Sequence, residues 1–253
     1  MFFNCIIVNR TIPDAWRLGI ITPIPKIPSP VTVSDYRPIS ITCADGKLFE
    51  YFLKDLLLEH FQTNSLISKH QFGFLNGRNT CGNLLSYLHA IIQNIDRNIP
   101  VDVIYLDFQK AFDKVPHQIL IAKLYKYKVN TTLIEIISNW LSGRSQAVKF
   151  NDVTSTFKPV ISGVPQGTVL GPVLFIIFTF DLINMLSCPF FYADDSKILQ
   201  PVSSTDEHQA LQNDLDVVDN WCKINGMSLN NSKSFVMHFG HNNHKFSYKI
   251  ANN

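Results

Sequence analysis

The stretch Phe190-Phe191-Tyr192-Ala193-Asp194-Asp195 sets two adjacent carboxylates directly after an apolar strand-forming run, and Ser196-Lys197-Ile198-Leu199 reads as a second strand leaving them. The pattern is a β-hairpin with acids at its turn. Two neighbouring carboxylates repel, and burying them unpaired is costly. A metal cation supplies the missing positive charge and is the commonest way to make such a pair favourable. Asp-Asp also occurs by chance in many chains. A third acid upstream in a similar setting raises the stakes. Asp107 closes Val101-Asp102-Val103-Ile104-Tyr105-Leu106, a run rich in β-branched residues, on the same face as Val101, Val103 and Tyr105. An acid there either caps the following helix or belongs to a site.

The rest of the chain supplies helices and connectors around these strands. Pro23, Pro25, Pro28 and Pro30 exclude helix and favour extended edge strands or loop over residues 10–33, with Lys26 at the end of an extended segment. Asp35-Tyr36-Arg37-Pro38-Ile39-Ser40-Ile41 is a second short extended piece. Helical spacing of Leu48, Phe49, Phe52, Leu53, Leu56, Leu57 and Phe61 predicts a helix from 46 to 61 with that face in the core. A second helix carries Leu84, Leu85, Leu88, Ile91, Ile92 and Ile95, and Gln71-Phe72-Gly73-Phe74 lies in the loop between the two. Two more helices follow Asp107, around Leu120 and Leu124 and then around Leu133 and Leu141. Next come a hairpin joined through Asn151-Asp152, a glycine-rich connector Ser162–Gly167 and an apolar helix over 168–186. After the acidic hairpin, an amphipathic helix turns Leu211, Leu215, Val218 and Cys222 inward, and Asp214, Asp216 and Asp219 read as a solvated face. Ser234–Phe239 is a closing strand, and the polar tail 240–253 is expected to fray.

Composition bounds the class. With 46% hydrophobic residues and 19 Phe, the chain has ample material for a packed interior, which argues against disorder. Lys and Arg outnumber Asp and Glu by 17 to 12 over residues 1–160 and are outnumbered 5 to 8 beyond, so the first part is weakly suited to face phosphates. The five Cys are scattered without a C-x-x-C and read as free thiols of an intracellular protein, in the nucleus or cytoplasm. No signal peptide is recognisable, and the longest apolar run, Val169 to Phe180, is too short to span a bilayer. No membrane is therefore expected among the partners, and no oligomeric state is fixed.

Three carboxylates at strand ends suit hard cations that prefer oxygen ligands. Two Mg²⁺ ions about 3.5–4 Å apart can activate an attacking hydroxyl and stabilise both attacking and leaving oxygens, as phosphoryl transfer requires. Lys26, Arg37 and Lys233 could supply protein cations, although composition alone favours reading Lys26 and Arg37 as ordinary solvated charges. A polymerase, a phosphatase and a nuclease all remain compatible with the acids alone.

The order of the motifs narrows this. Leu18–Lys26, Asp35-Tyr36-Arg37-Pro38-Ile39-Ser40, Gln71-Phe72-Gly73-Phe74, Asp107–Asp113, Gly163-Val164-Pro165-Gln166-Gly167, Tyr192-Ala193-Asp194-Asp195 and Gly226–Lys233 resemble the successive motifs of reverse transcriptases. The branch they resemble is that of the non-LTR (LINE/Jockey-like) retrotransposons, over about residues 10–240. The resemblance implies an α+β right-hand polymerase. Fingers would span 1–98, with the 143–160 hairpin returning to them, and the palm 99–245, an antiparallel ferredoxin-like sheet backed by helices. A frayed tail would occupy 246–253, and the helical thumb of the family has no room in the chain. The implied activity is RNA-directed DNA synthesis with two Mg²⁺ (or Mn²⁺) on an RNA template, a DNA primer and dNTPs. By the same resemblance Asp107 and Asp194 hold the metals, with Asp195 as supporting acid. Lys26 and Arg37 grip the triphosphate, and Phe112 is the steric gate against a ribose 2′-OH. Gly163, Pro165, Gln166 and Gly167 line the nascent base pair and template, and Lys233 is the candidate general acid. Two alternatives stand beside it: a catalytically silent retrotransposon remnant that at most binds nucleic acid or a partner protein, and a two-metal phosphodiesterase, which the early motifs argue against.

Overall fold

The computed structural model describes residues 2–250 and is a mixed α+β structure. The chain begins with α1 (Phe2–Asn9), a 3₁₀ turn at Asp14–Arg17, β1 (Leu18–Pro25), β2 (Tyr36–Ile41) and α2 (Ala44–Thr63). It continues through α3 (Thr80–Ile95), β3 (Val101–Leu106), α4 (Ala111–Lys114), α5 (His117–Lys126) and α6 (Thr131–Leu141). Then come β4 (Ser145–Phe150), β5 (Val153–Thr154), β6 (Lys158–Pro159) and α7 (Leu170–Met185). The last elements are β7 (Pro189–Tyr192), β8 (Asp195–Pro201), α8 (Thr205–Asn225) and β9 (Phe235–Phe239). No helix among the described residues is long and apolar enough to cross a membrane, and all five cysteines are free thiols.

Contacts divide the chain into two compact units, each assembled from two stretches: residues 1–66 with 112–177, and residues 67–111 with 178–253. Long-range strand pairing is the reason: β4 joins β1 in parallel register, Leu18 opposite Ser145, while β3 joins β8 and β9.

In the first unit, the sheet order is β2-β1-β4-β5, with β6 also paired to β4. Proline-bearing β1 is an inner strand here rather than an edge. Its pairing with β4 stops at Ile21, however, and Pro23 and Pro25 lie in the half that pairs only with β2. Pro23 faces Pro38 across that ribbon, so neither missing N–H interrupts a ladder. The return strand of the Asn151-Asp152 hairpin is broken into the short β5 and β6. In α2, Phe49, Leu53, Leu57 and Phe61 are buried at a strict four-residue spacing. Leu48 and Phe52, counted as core by spacing alone, are 61% and 43% exposed, and Leu56 is exposed too. The apolar stripe is wider than the face that packs.

In the second unit, the antiparallel sheet β7-β8-β3-β9 places β3 in the middle. Val101, Val103, Phe190 and Leu199 pack with Tyr87 and Ile91 of α3. Leu84, Leu85, Leu88 and Ile92 of the same helix face outward. On α8, Leu211, Leu215, Val218 and Cys222 are buried as the periodicity requires. Asp214 departs from its reading as a solvated acid: it is buried and accepts hydrogen bonds from the backbone N–H and Oγ of Ser187. That burial pushes its carboxyl above the ordinary Asp range.

The tail is also tied down as far as residue 249. Asp102 on β3 is fully buried and must find donors. His238 Nδ1 lies 2.7 Å from Asp102 Oδ1, Asn243 donates to the same oxygen at 2.8 Å, and Tyr248 OH donates to Oδ2 at 2.6 Å. Phe246 stacks on His208 at 4.3 Å, and the Lys249 N–H donates to Gln212 Oε1. Residues 251–253 of the expected frayed tail lie outside the described residues.

Candidate active site

The acidic hairpin forms because β7 and β8 pair in antiparallel register down to Tyr192 opposite Asp195, which leaves Ala193 and Asp194 as a two-residue turn. Ala193 has φ +57°, whereas Asp194 has no positive φ, the pattern of a II′-type hairpin turn. An alanine there carries strain of about 1 kcal/mol. The turn points Asp194 into a partly buried position and leaves Asp195 exposed at the start of β8.

Asp107 follows the last residue of β3, next to the Leu106–Ser196 pair, and Ser196 Oγ donates to the Leu106 carbonyl. The segment after α8 wraps over it. The Asn230 N–H donates to the Asp107 carbonyl at 2.7 Å, the Asp107 N–H meets Ser234 Oγ at 3.3 Å, and Phe108 bridges to Leu229. This wrapping brings Lys233 to the acids. A cavity of about 520 Å³ is lined by Asp107, Asp195 and Lys233 together with Lys197, Tyr105 and Phe235. Tyr105 and Phe235 stack with ring centroids 4.7 Å apart, and Lys197 Nζ sits 4.9 Å from the centre of the Tyr87 ring. Lys197 lies two residues beyond Asp195 on the same face of β8; burial lowers its pKa while Asp195 pulls it back up.

The electrostatics of Asp194 tie the three acids together. Burial is the main cause of a raised carboxyl pKa, and the charges of Asp195 and Asp107 push it further in the same direction. Among the described residues, no group of three or more His, Cys, Asp or Glu is gathered tightly enough to hold a metal ion by itself. Mg²⁺ rarely uses such a cage; it takes one or two carboxylates and completes its shell with water and substrate phosphates. Hard oxygen donors whose mutual repulsion a cation relieves fit that kind of site. Asp107, Asp194 and Asp195 are the residues that would hold it.

The remaining sequence-derived residues lie in the first unit. Lys26 immediately follows β1 and donates from Nζ to the Ser34 carbonyl, and Arg37 sits opposite Ile24, so both cations occupy the same end of one exposed ribbon. Phe112, half-buried in α4, stacks on Phe175 at 4.6 Å, and its carbonyl accepts from the Val164 N–H. The connector 162–167 is thereby stitched to α4, and the Ser40 N–H donates to the Gln166 carbonyl on its other side. Gly163 and Gly167 have φ of +87° and +102°, and a Cβ at either would lie 2.6 Å from the carbonyl oxygen of Asp113 or Ser40. Only glycine meets both demands. Pro165 lies between them.

Three supporting groups have no role assigned by the sequence reading. Gln71 and Gly73 lie against the Ala193 backbone, and Asn83 Nδ2 donates to the Phe191 carbonyl at 3.3 Å. Glu50 is buried within α2 and accepts from the Val169 and Leu170 N–H groups at the start of α7 and from Trp140 Nε1. The glycine inside Gln71-Phe72-Gly73-Phe74 was the one visible signal, since such a glycine marks close backbone approach.

Residues 24–249 match the family model described as reverse transcriptase (RNA-dependent DNA polymerase). The chain is 30% identical over 244 residues to the probable RNA-directed DNA polymerase from transposon X-element of Drosophila melanogaster. It is 31% identical over 249 residues to the RNA-directed DNA polymerase from mobile element jockey of Drosophila funebris. Each alignment covers 92% of this chain and 26% of the relative, so the chain spans about a quarter of the length of these non-LTR retrotransposon proteins. Among solved structures, apo telomerase from Candida tropicalis, truncated from its C-terminal domain, superposes with a TM-score of 0.64 at 13% identity. That match covers 88% of this chain and 50% of the telomerase, and it establishes a shared fold. By the match over residues 24–249, the chain belongs to the reverse transcriptase (RNA-dependent DNA polymerase) family.

Proposed function

We propose that the chain is the nucleotidyl-transfer core of an RNA-directed DNA polymerase, extending a DNA primer 3′-OH with dNTPs on an RNA template. The observation that carries this reading is the placement of Asp107 directly after β3 and of Asp194 and Asp195 at the β7–β8 turn, on neighbouring strands of one antiparallel sheet. In it, β7-β8-β3-β9 serves as the palm, and the β1–β2 ribbon with β4 serves as fingers. Asp107 and Asp194 hold divalent cations, with Asp195 in support. Bound Mg²⁺, or Mn²⁺ in its place, supplies the positive charge that activates the primer hydroxyl and stabilises attacking and leaving oxygens. The 3′-hydroxyl gives its proton to solvent, its oxygen bonds to the α-phosphorus as the bond to pyrophosphate breaks, and Lys233, which shares a cavity with Asp107 and Asp195, protonates the leaving group. Lys26 and Arg37 neutralise the triphosphate, and the Gly163–Gly167 connector, with Pro165 and Gln166, supports template and base pair.

Primer extension on an RNA template with Mg²⁺ and dNTPs tests the proposal. Wild-type protein is expected to add nucleotides, and Asp107→Asn to add none. Salt-dependent binding to an RNA–DNA hybrid with no incorporation by the wild type would replace the polymerase with a silent nucleic-acid-binding remnant.

Phe112 gives a second check. Its ring stacks on Phe175 and is half-buried. Phe112→Val is expected to raise ribonucleotide incorporation relative to deoxyribonucleotide by about 10–100-fold, the scale of steric discrimination in a fitted pocket. Unchanged selectivity in an active variant removes the gate role.

A further inference from the structure

The turn that presents Asp194 is held from outside the hairpin. Ala193 adopts a left-handed conformation that a non-glycine residue keeps only when its surroundings impose it. The group in position to impose it is the side chain of Gln71. That residue is fully buried, and its Oε1 accepts the Ala193 N–H at 3.0 Å and the Gly73 N–H at 2.8 Å. One oxygen thus joins the turn to the 71–73 segment. The backbones are sewn together beside it: the Phe191 N–H donates to the His70 carbonyl, and the Phe72 N–H donates to the Phe191 carbonyl, each at 2.9 Å. Gly73 lets them come this close, since a Cβ there would stand 2.5 Å from the Ala193 nitrogen. Arg78 closes the segment by donating to the carbonyls of Ser68 and Gln71.

The amide nitrogen of Gln71 is unpaired among the described residues. Buried and without a hydrogen-bond partner there, Nε2 offsets part of what Oε1 contributes, whereas an apolar side chain of the same length would leave the Ala193 and Gly73 N–H groups unpaired. What such a side chain lacks is the double acceptor.

We propose that Gln71 is a positioning residue for nucleotidyl transfer: its side-chain carbonyl fixes Ala193 in the left-handed turn and so sets the Asp194 carboxylate where it receives a divalent cation. The inference rests on the polymerase reading for its catalytic part. Its structural part is independent of that reading.

The test uses the full 253-residue chain and Gln71→Met, which keeps the volume and removes both acceptor and orphaned donor. Three quantities are read: amide hydrogen exchange at Ala193, Mn²⁺ affinity by paramagnetic resonance without substrates, and single-turnover incorporation. Ala193 exchange is expected to rise by about tenfold or more, as loss of one buried hydrogen bond implies. Mn²⁺ is expected to bind about 3–10-fold more weakly, and the incorporation rate to fall by about 10–100-fold with dNTP KM little changed, the pattern of misplaced catalytic groups. Gln71→Glu restores the acceptor oxygen and is expected to recover Ala193 protection. Gly73→Ala keeps the Gln71 side chain but drives a Cβ against the Ala193 nitrogen, and it carries the test if Gln71→Met does not fold; it should weaken Mn²⁺ binding alike. An active wild type with Mn²⁺ affinity and rate unaltered in Gln71→Met overturns the proposal. An inactive wild type whose Mn²⁺ affinity still drops in Gln71→Met overturns the polymerase reading and leaves Gln71 as the residue that positions the cation site.

Discussion

Asp194→Asn is expected to abolish primer extension, by at least about 1,000-fold, and at the same time to make the cation-free protein more heat-stable. The two effects have one cause. Burial and the charges of Asp195 and Asp107 raise the Asp194 carboxyl above its ordinary range, so the folded state binds that proton more tightly than the unfolded state does. The stabilisation associated with this group is therefore present at low pH and is lost as pH rises through the raised folded-state value. At neutral pH the ionised carboxylate opposes folding, and an asparagine of the same shape relieves it. A rise in melting temperature of about 1–4 °C is expected from relief of order 1 kcal/mol in a chain of this size. Mg²⁺ or Mn²⁺ should then raise the melting temperature of the wild type and leave that of Asp194→Asn nearly unmoved, because a ligand stabilises only the state that binds it. Calorimetry with and without the cation, alongside extension assays, decides the matter. A variant that is less stable than wild type without metal contradicts the electrostatic account.

Glu50→Ala is expected to produce the largest loss of stability. Glu50 is 2% exposed, and its carboxylate accepts three hydrogen bonds, two from the first turn of α7, where the helix dipole also favours a negative charge. Burial pushes its pKa up, and these bonds and the charge of Arg144 pull it back. Arg144 is itself buried, donates to the Trp140 carbonyl, lies 4.7 Å from the Trp140 ring, and has its pKa pushed down to about 10 by desolvation. Alanine at position 50 strands three donors and removes the anion that Arg144 answers. A loss of about 3–5 kcal/mol follows, or a fall in melting temperature of about 6–15 °C. Glu50→Gln retains an acceptor oxygen and should cost about half as much or less. The start of α7 is also the end of the Gly163–Gly167 connector, so the same change should make residues 163–170 the first to lose amide protection. A melting temperature within 2 °C or so of wild type would show that the carboxylate is dispensable.

The parts of the fold legible in the sequence were those set by short-range periodicity. The acidic hairpin, the strand ending at Asp107 and the inward face of α8 follow from spacings of two and of three to four residues. Reading failed where an element offers more than one apolar face. Helix α2 is apolar on a broad arc, and nothing local says that Phe49, Leu53, Leu57 and Phe61 turn inward while Leu48 and Phe52 do not. It failed again where a polar residue is explained by a partner far along the chain. Asp214 is buried because Ser187 meets it, Asp102 because Asn243 and Tyr248 do, and Glu50 because α7 begins beside it. Gln71 is the most telling of these. Its segment was conspicuous in the sequence, yet its two hydrogen bonds become visible only once residue 193 is placed next to residue 71.

The central position of β3 also governs when its sheet can form. Its partners, β8 and β9, lie roughly 90–140 residues further along the chain, so every hydrogen bond it makes closes a very long loop. During synthesis, Val101 to Leu106 must wait, with both edges open, until the ribosome has delivered Asp195 and then Phe235. A β-branched strand in that state is the kind of segment that pairs with other chains. Slow, aggregation-exposed maturation is built into the topology that brings Asp107 beside Asp194 and Asp195.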